Sequence, residues 1–398
     1  MVVKPQIRGN ICLNAHPVGL AKMMENFKRR TMASRGAMVG AASISGKKLP
    51  KTVLVLGCSM GYGLASRMTA AFSCGADTVG VSYENEPTHK RPGSPGWYNN
   101  RSFDFLAKSE GLYSATLNAD AFSDDTRKKI IELAKRDGLV FDEVIYSLAS
   151  PVRTDPKTGI MYRSAIKPIG KPFIGKTIDL NTYVFHELSV QPATEEEIEA
   201  TVKVMGGEDW ELWIQALDEA GILAHDCTTL AYSYIGPAHS WPIYRDGTIG
   251  RAKAHLEATA KRLNTLMQTR GGHAYVSINK ALVTRSSAVI PVIPLYISAL
   301  YRIMKEMHLH EDCTDQIIRL YRDRLLAQDL MLDGENRIRM DDWEMRDDVQ
   351  KLTATQMIYA TEANLMLTTD ILGFKTDFLQ ANGFDVPGVD YHARVQYD

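Results

Sequence analysis

The segment Tyr244-Arg245-Asp246-Gly247-Thr248-Ile249-Gly250-Arg251-Ala252-Lys253 places a phenol and an ammonium nine positions apart. A tyrosine paired with a lysine beside a nicotinamide is a device for proton transfer. A phenol titrates near about pH 10 in water, so at neutral pH it holds a proton it can give. A neighbouring ammonium stabilises the phenolate left behind and draws its pKa toward the working range. The lysine can also donate to the ribose next to the nicotinamide. On one continuous helix, nine steps of about 100° leave the two side chains on opposite faces. They converge only if the helix starts between them. Asp246-Gly247-Thr248 supplies that break, with Gly247 as turn residue and Thr248 as the expected N-cap. Tyr244 is therefore expected on a loop and Lys253 in the first helical turns. The chain has 17 tyrosines, so the pair by itself is a weak signal.

A second constellation says what the proton donor works beside. The run Val53-Leu54-Val55-Leu56-Gly57-Cys58-Ser59-Met60-Gly61-Tyr62-Gly63-Leu64-Ala65 reads as a buried parallel strand, a glycine turn and a helix start. Gly57, Gly61 and Gly63 let backbone approach a pyrophosphate, and the helix behind them offers unpaired N–H groups and a positive dipole end. A tight turn that needs small residues only for packing would read the same way. The spacing is G-x-x-x-G-x-G, the form of short-chain dehydrogenases and their relatives. The next strand, Thr78-Val79-Gly80-Val81-Ser82-Tyr83, ends at Glu84, 21 residues after Gly63. A carboxylate at about that offset accepts from adenosine ribose hydroxyls. It would also repel a 2′-phosphate, so the site favours NADH over NADPH; an ordinary solvated acid at a strand end is the competing reading.

Composition narrows the class. At 398 residues the chain can bury a large core. A net charge of −1 and a pI of about 6.8 leave no footprint for nucleic acid. The five cysteines (12, 58, 74, 227 and 313) form no C-x-x-C pair, which argues against a disulfide framework and a zinc site and fits a reducing compartment. The start, Met-Val-Val-Lys-Pro-Gln, lacks the apolar core of a signal peptide. The expectation is cytoplasmic, or an organelle matrix if a presequence has been removed. The apolar stretch Ala288–Ile303 is too short for a membrane span, holds Pro291 and Pro294, and is flanked by Arg285, Arg302 and Lys305. It is expected to be a buried helix or pocket wall.

From residue 52 the chain alternates strands (53–56, 78–83, 112–116, 143–148) with helices (62–73, 99–110, 123–137), the rhythm of an α/β, Rossmann-like, doubly wound parallel sheet with helices on both faces. Residues 1–17 read as a small β element, 20–36 as a helix, and 37–50 as a linker or loop. Residues 151–195 read as an irregular excursion with a small hairpin. A helix is expected from about 195, strands at 228–234 and 273–278, and a long helix at 249–266. Helices at 295–307, 311–327 and 342–365 form a helical C-terminal extension. Ligands in such sheets sit beyond the carboxyl ends of the strands. Asp120 and Ala121 could then flank the adenine, and Leu148 and Ala149 the path to the nicotinamide. A single α/β domain over 1–398 is expected, with a dinucleotide-binding core at about 50–290 and substrate-covering segments at about 151–195 and 285–330.

Long matches in order make the whole chain resemble the trans-2-enoyl-CoA and enoyl-acyl-carrier-protein reductases. They include Ile11-Cys12-Leu13-Asn14-Ala15-His16-Pro17, Gly96-Trp97-Tyr98-Asn99, Tyr146-Ser147-Leu148-Ala149-Ser150-Pro151, Val204-Met205-Gly206-Gly207-Glu208-Asp209-Trp210, Ile290-Pro291-Val292-Ile293-Pro294-Leu295-Tyr296 and Asn382-Gly383-Phe384-Asp385. That family is set apart from ordinary short-chain dehydrogenases, with their Tyr-x3-Lys, by Tyr-x8-Lys. The resemblance implies Tyr244 as proton donor and Lys253 as cofactor-binding lysine. It implies that Gly57, Cys58, Ser59, Met60, Gly61 and Tyr62 hold the pyrophosphate and nearby groups. Tyr83 and Glu84 would hold the adenosine end, Asp120 and Ala121 the adenine, Leu148 and Ala149 the nicotinamide side. Leu282, Val283 and Thr284 would contact the nicotinamide amide, Tyr234 the substrate, and the apolar stretch after Ser287 the acyl chain. The implied activity is NADH-dependent reduction of an enoyl thioester carried on CoA or acyl-carrier protein. A monomer is expected, with a dimer as the alternative. A carbonyl-reducing dehydrogenase and a non-catalytic NAD(H)-binding protein are the rival readings.

Overall fold

The computed structural model of the chain describes residues 2–180, 182–284, 287 and 293–397. Its centre is a seven-stranded parallel sheet. In chain order the strands are β1 (Thr52–Leu56), β2 (Asp77–Ser82), β3 (Ser114–Asn118), β4 (Phe141–Tyr146), β5 (Leu223–Ser233), β6 (His273–Ile278) and β7 (Arg337–Arg339). Their spatial order is β7-β6-β5-β4-β1-β2-β3. The order reverses between β1 and β4, and the crevice beyond the carboxyl ends of those two strands is where such sheets bind ligands. The strands read as continuous apolar runs because both faces are covered. Leu54, Leu56 and Val144 pack toward Trp210, Trp213 and Leu256, while Val53, Val55 and Ile145 pack toward Met38 and Ile317.

Several elements depart from the sequence expectation. The 37–50 linker is in its first half a helix, Arg35–Ser45, closed by Gly46 at φ 72°. Its composition of Gly, Ala and Ser has little helical drive, but Met38 and Ala42, one turn apart, are buried among Leu320, Tyr321 and Leu326, and that packing decides. The expected 99–110 helix starts at Pro95, where proline fits a first helical position. The 151–195 excursion holds two antiparallel hairpins, Val152–Thr154 with Met161–Arg163 and Phe173–Ile178 with Phe185–Val190. A capping box of Thr194 and Glu197 opens the helix Glu195–Met205, and a further helix, Glu208–Glu219, buries Trp210 and Trp213 completely. The 342–365 helix is only Asp347–Tyr359, preceded by the unanticipated edge strand β7 and followed by the helix Ile371–Gln380. The N-terminal β element is a hairpin of Ile7–Arg8 and Ile11–Cys12. Among the described residues no helix is long and apolar enough to cross a membrane. Of the apolar stretch Ala288–Ile303, residues 288–292 lie outside the described residues, and the rest forms the buried helix Ile293–Glu306.

Candidate active site

The glycine turn lies at the switch point. Gly57 follows β1 at φ 87°, and a Cβ there would stand 2.2 Å from the Ser147 carbonyl oxygen beyond β4. A Cβ on Gly63 would stand 2.0 Å from the Gly57 oxygen. These two glycines are needed because three backbones meet with no room for a side chain. The helix Gly61–Met68 begins behind Met60, which supplies no side-chain cap, so first-turn N–H groups are left for a ligand or water. Ser59 and Cys58 are buried. The Cys58 thiol points to Asn100 and Arg67, and burial pushes its pKa up. The Tyr62 hydroxyl lies 2.8 Å from the Lys280 carbonyl and 2.7 Å from Gln316 Oε1, so its one proton is committed there and only backbone remains to face a phosphate.

Glu84 stands at the far end of the turn. Ser59 Oγ donates to its Oε1 at 2.6 Å, Ser94 Oγ donates to its Oε2, and its backbone exchanges two hydrogen bonds with the Asn118 side chain. Any Cβ on Gly96 would press within 2.2 Å of that carboxylate. The adjacent Tyr83 is 80 % exposed, a ring open to a stacking partner. Asp120 is exposed after β3, whereas Ala121 is buried and its carbonyl accepts from Trp213 Nε1. Leu148 is half-buried and Ala149 exposed, just past the Gly57–Ser147 contact.

Tyr244 sits on a turn and Lys253 in the second turn of the helix Thr248–Gln268. The cap differs from expectation: Gly247 is the N-cap, and Thr248 is the first helical residue. The reason is local. Thr248 Oγ1 donates to the Ala165 carbonyl and accepts from Lys167 N at 3.1 Å, so its hydroxyl is spent on anchoring the 165–167 loop. Tyr244 is buried, and its hydroxyl has no hydrogen-bond partner among the described residues. Burial, with the Glu344 carboxylate nearby, pushes its pKa up. The ring of Tyr234 meets it edge-on, centroids 5.0 Å apart at 84°. Lys253 Nζ donates to the Tyr232 carbonyl at 3.3 Å, and desolvation lowers its pKa to about 8.

The segment after β6 closes the opposite wall. Leu282 is buried, and Val283 and Thr284 are half-buried. Thr284 Cγ2 would be 3.7 Å from a Cβ on Gly61, which brings this segment to the glycine turn. Its N–H groups are pinned in series: Lys280 to Gln316 Oε1 at 2.9 Å, Ala281 to Glu344 Oε2 at 2.7 Å, and Val283 to the Tyr301 hydroxyl at 3.3 Å. Sequence reasoning missed Gln316, Tyr301 and Glu344. Glu344 stands in Asp341-Asp342-Trp343-Glu344, at the start of the helix expected over 342–365, and nothing local signals that it is fully buried.

Comparison with known proteins matches nearly the whole chain. Residues 91–326 match the family model described as the trans-2-enoyl-CoA reductase catalytic region, and residues 2–89 the NAD(P)H binding domain of trans-2-enoyl-CoA reductase. Residues 332–395 match a model described as an enoyl reductase FAD binding domain. The trans-2-enoyl-CoA reductase [NADH] of Treponema denticola is 55 % identical, covering 100 % of this chain and 99 % of that one. The enoyl-[acyl-carrier-protein] reductase [NADH] of Flavobacterium johnsoniae is 50 % identical over 99 % of this chain and 97 % of its own. The crystal structure of the Treponema denticola enzyme in complex with NAD superposes with a TM-score of 0.95 over 99 % of this chain and 98 % of that one, at 55 % identity. That of the Clostridium acetobutulicum enzyme in complex with NADH gives 0.92 at 41 % identity, over 100 % and 98 %. Part of the 332–395 segment is committed to the core and to the site. Val349, Leu365, Ile371, Phe374 and Phe378 are spent in one apolar cluster with the 293–306 helix, and the Glu344 carboxylate is bonded within the site. The chain belongs to the trans-2-enoyl-CoA reductase family.

Proposed function

We propose that this chain reduces the trans-2 double bond of enoyl thioesters with NADH, giving the saturated acyl thioester with a hydride added at C3 and a proton at C2. The observation that carries the reading is the buried Tyr244 phenol, unbonded among the described residues, edge-on to Tyr234 and in one apolar cluster with Ile249 and Leu282. The residues fit a dinucleotide: Gly57 and Gly63 make a turn no side chain can fill, and Glu84 presents a carboxylate where a 2′-phosphate would be repelled. NADH, when bound, supplies the hydride.

Gly57 through Tyr62 would hold the pyrophosphate by backbone, Tyr83 and Glu84 the adenosine, and Asp120 and Ala121 the adenine. Leu148, Ala149 and the 282–284 segment would confine the nicotinamide. Lys253 would bind the ribose. Tyr244 stabilises the negative charge that develops on the thioester oxygen as the enolate forms, and that stabilisation is the main catalytic contribution expected of the protein. Protonation at C2 then completes the reaction. Tyr234 lines the substrate side of Tyr244. The three matched segments act as one catalytic domain, since β1 to β7 draw strands from all of them into one sheet.

The test is a panel of crotonyl-, hexenoyl- and dodecenoyl-thioesters on CoA and on acyl-carrier protein, with NADH and NADPH. Crotonyl-CoA should oxidise NADH while simple ketones do not. Reduction of ketones alone would make this a carbonyl reductase, and NADH binding without oxidation by any substrate would make it a binding protein.

A further inference from the structure

Glu344 joins two parts of the site that reaction must keep in register. Its Oε1 accepts from the Tyr234 hydroxyl at 2.9 Å and from the Tyr296 hydroxyl at 2.6 Å. Its Oε2 accepts from Ala281 N at 2.7 Å. Gln350 Nε2 donates to the Tyr296 hydroxyl at 3.1 Å and to the Glu344 carbonyl at 2.8 Å, holding the acid's own backbone. The carboxylate has no solvent exposure. A buried carboxylate persists only when its lone pairs are filled and a countercharge is near. Three donors face it; burial pushes its pKa up, and the buried ammonium of Lys280 opposes that shift. Tyr234 in turn meets Tyr244 edge-on, and Ala281 leads directly into Leu282-Val283-Thr284.

We infer that Glu344 is a positioning residue of the reductase site: one oxygen sets Tyr234 against Tyr244, and the other clamps the segment that confines the nicotinamide. A phenol has a single proton. Tyr234 donates its one hydrogen bond to Glu344, so it meets the substrate with its ring and its lone pairs. Tyr244 is then the only phenol of the pair free to donate to the thioester oxygen. The inference rests on the enoyl-reductase reading above, and it makes the C-terminal segment part of the reduction machinery.

A double-mutant cycle on the full chain tests it, with crotonyl-CoA and NADH as substrates and Glu344→Gln, Tyr234→Phe and their combination as variants. In Glu344→Gln the amide carbonyl still accepts from Ala281, while the amide nitrogen cannot accept from Tyr234. Glu344→Gln should lower kcat at least about tenfold, with the NADH dissociation constant, read by nucleotide fluorescence, moving less than about threefold. Tyr234→Phe should lower kcat severalfold, and the double variant should be no more than about twofold worse than Glu344→Gln alone, because the two groups act as a unit. Losses that multiply, or a Glu344→Gln kcat within about twofold of wild type, would overturn the inference. If Glu344→Gln fails to fold, Tyr234→Phe decides: a severalfold loss of kcat at unchanged NADH affinity supports the link, and an unchanged kcat overturns it. A wild-type chain that turns over no enoyl thioester overturns the reductase reading, and this inference with it.

Discussion

The two ends of the site are built in opposite ways. The cofactor end is local: Gly57 to Gly63 is one strand-to-helix turn, shaped by backbone meeting backbone, and Glu84 follows one strand later. The tyrosine end is assembled from afar. Tyr234 closes β5, Tyr244 sits on a turn, Ala281 follows β6, and Glu344 arrives from beyond β7, 110 residues after the tyrosine it binds. The first end is held by sterics, and the second by a buried hydrogen-bond network. Sterics fix a position whatever the reaction asks, while a network can orient individual protons. Binding should therefore fail when the turn is altered, and turnover should fail when the tyrosine end is altered.

The sharpest test of that division is Tyr244→Phe. Loss of a positioned proton donor lowers kcat by about 10² to 10⁴. NADH affinity by fluorescence titration should be unchanged; a parallel loss of affinity would break the separation between the ends. Gly57→Ala attacks the other end. The Cβ would collide with the Ser147 carbonyl at 2.2 Å, on a backbone at φ 87°. Strain of about 1–3 kcal/mol should appear as a lower Tm, and NADH binding should weaken by about tenfold or more. A normal NADH affinity in this variant would show that the turn is only packing.

Lys253 lies between the two ends and should affect both. Burial lowers its pKa to about 8, so its ammonium is present below that pH and is lost as pH rises through it. In the free enzyme, kcat/KM for NADH should fall above about pH 8. Lys253→Ala should weaken cofactor binding and turnover together and abolish that alkaline limb. A limb surviving in the variant would assign it elsewhere, for example to the buried Lys280, also lowered to about 8. The smallest effect is expected at Glu84. Glu84→Gln removes the charge but keeps an acceptor for Ser59, so NADH turnover should stay within about threefold while relative use of NADPH rises severalfold. Equal use of both cofactors by the wild-type chain would defeat the role given to this carboxylate.

Where a signal depends on neighbours in the chain, it was legible. The glycine turn, the alternation of strands and helices, the helix starting between Tyr244 and Lys253, and the helix start near 195 all follow from spacing and backbone preference. Where a residue's role depends on what packs against it, sequence misled. The Gly- and Ala-rich run at 37–50 looked like a linker until Met38 and Ala42 met Leu320 and Tyr321. Thr248 looked like a cap, but the loop at Ala165 and Lys167 claims its hydroxyl. The residues 342–344 were expected to open a helix; they precede it instead, and Asp341 and Glu344 have no exposure.

By itself, then, the sequence pointed to a glycine turn suited to a dinucleotide, an acid suited to disfavour a 2′-phosphate, a phenol and an ammonium set to either side of a helix start, and a membership that rests on matches along nearly its whole length. These are properties of contiguous residues, for which φ/ψ preference and periodicity suffice. Only the tertiary structure decided that the Tyr234 proton is committed to Glu344, that Gln316 and Tyr301 pin the nicotinamide-side segment, and that the C-terminal segment belongs to the same site. Hydrogen bonds across 18 to 110 residues are set by how the sheet order brings strand ends together, and no local pattern encodes that meeting.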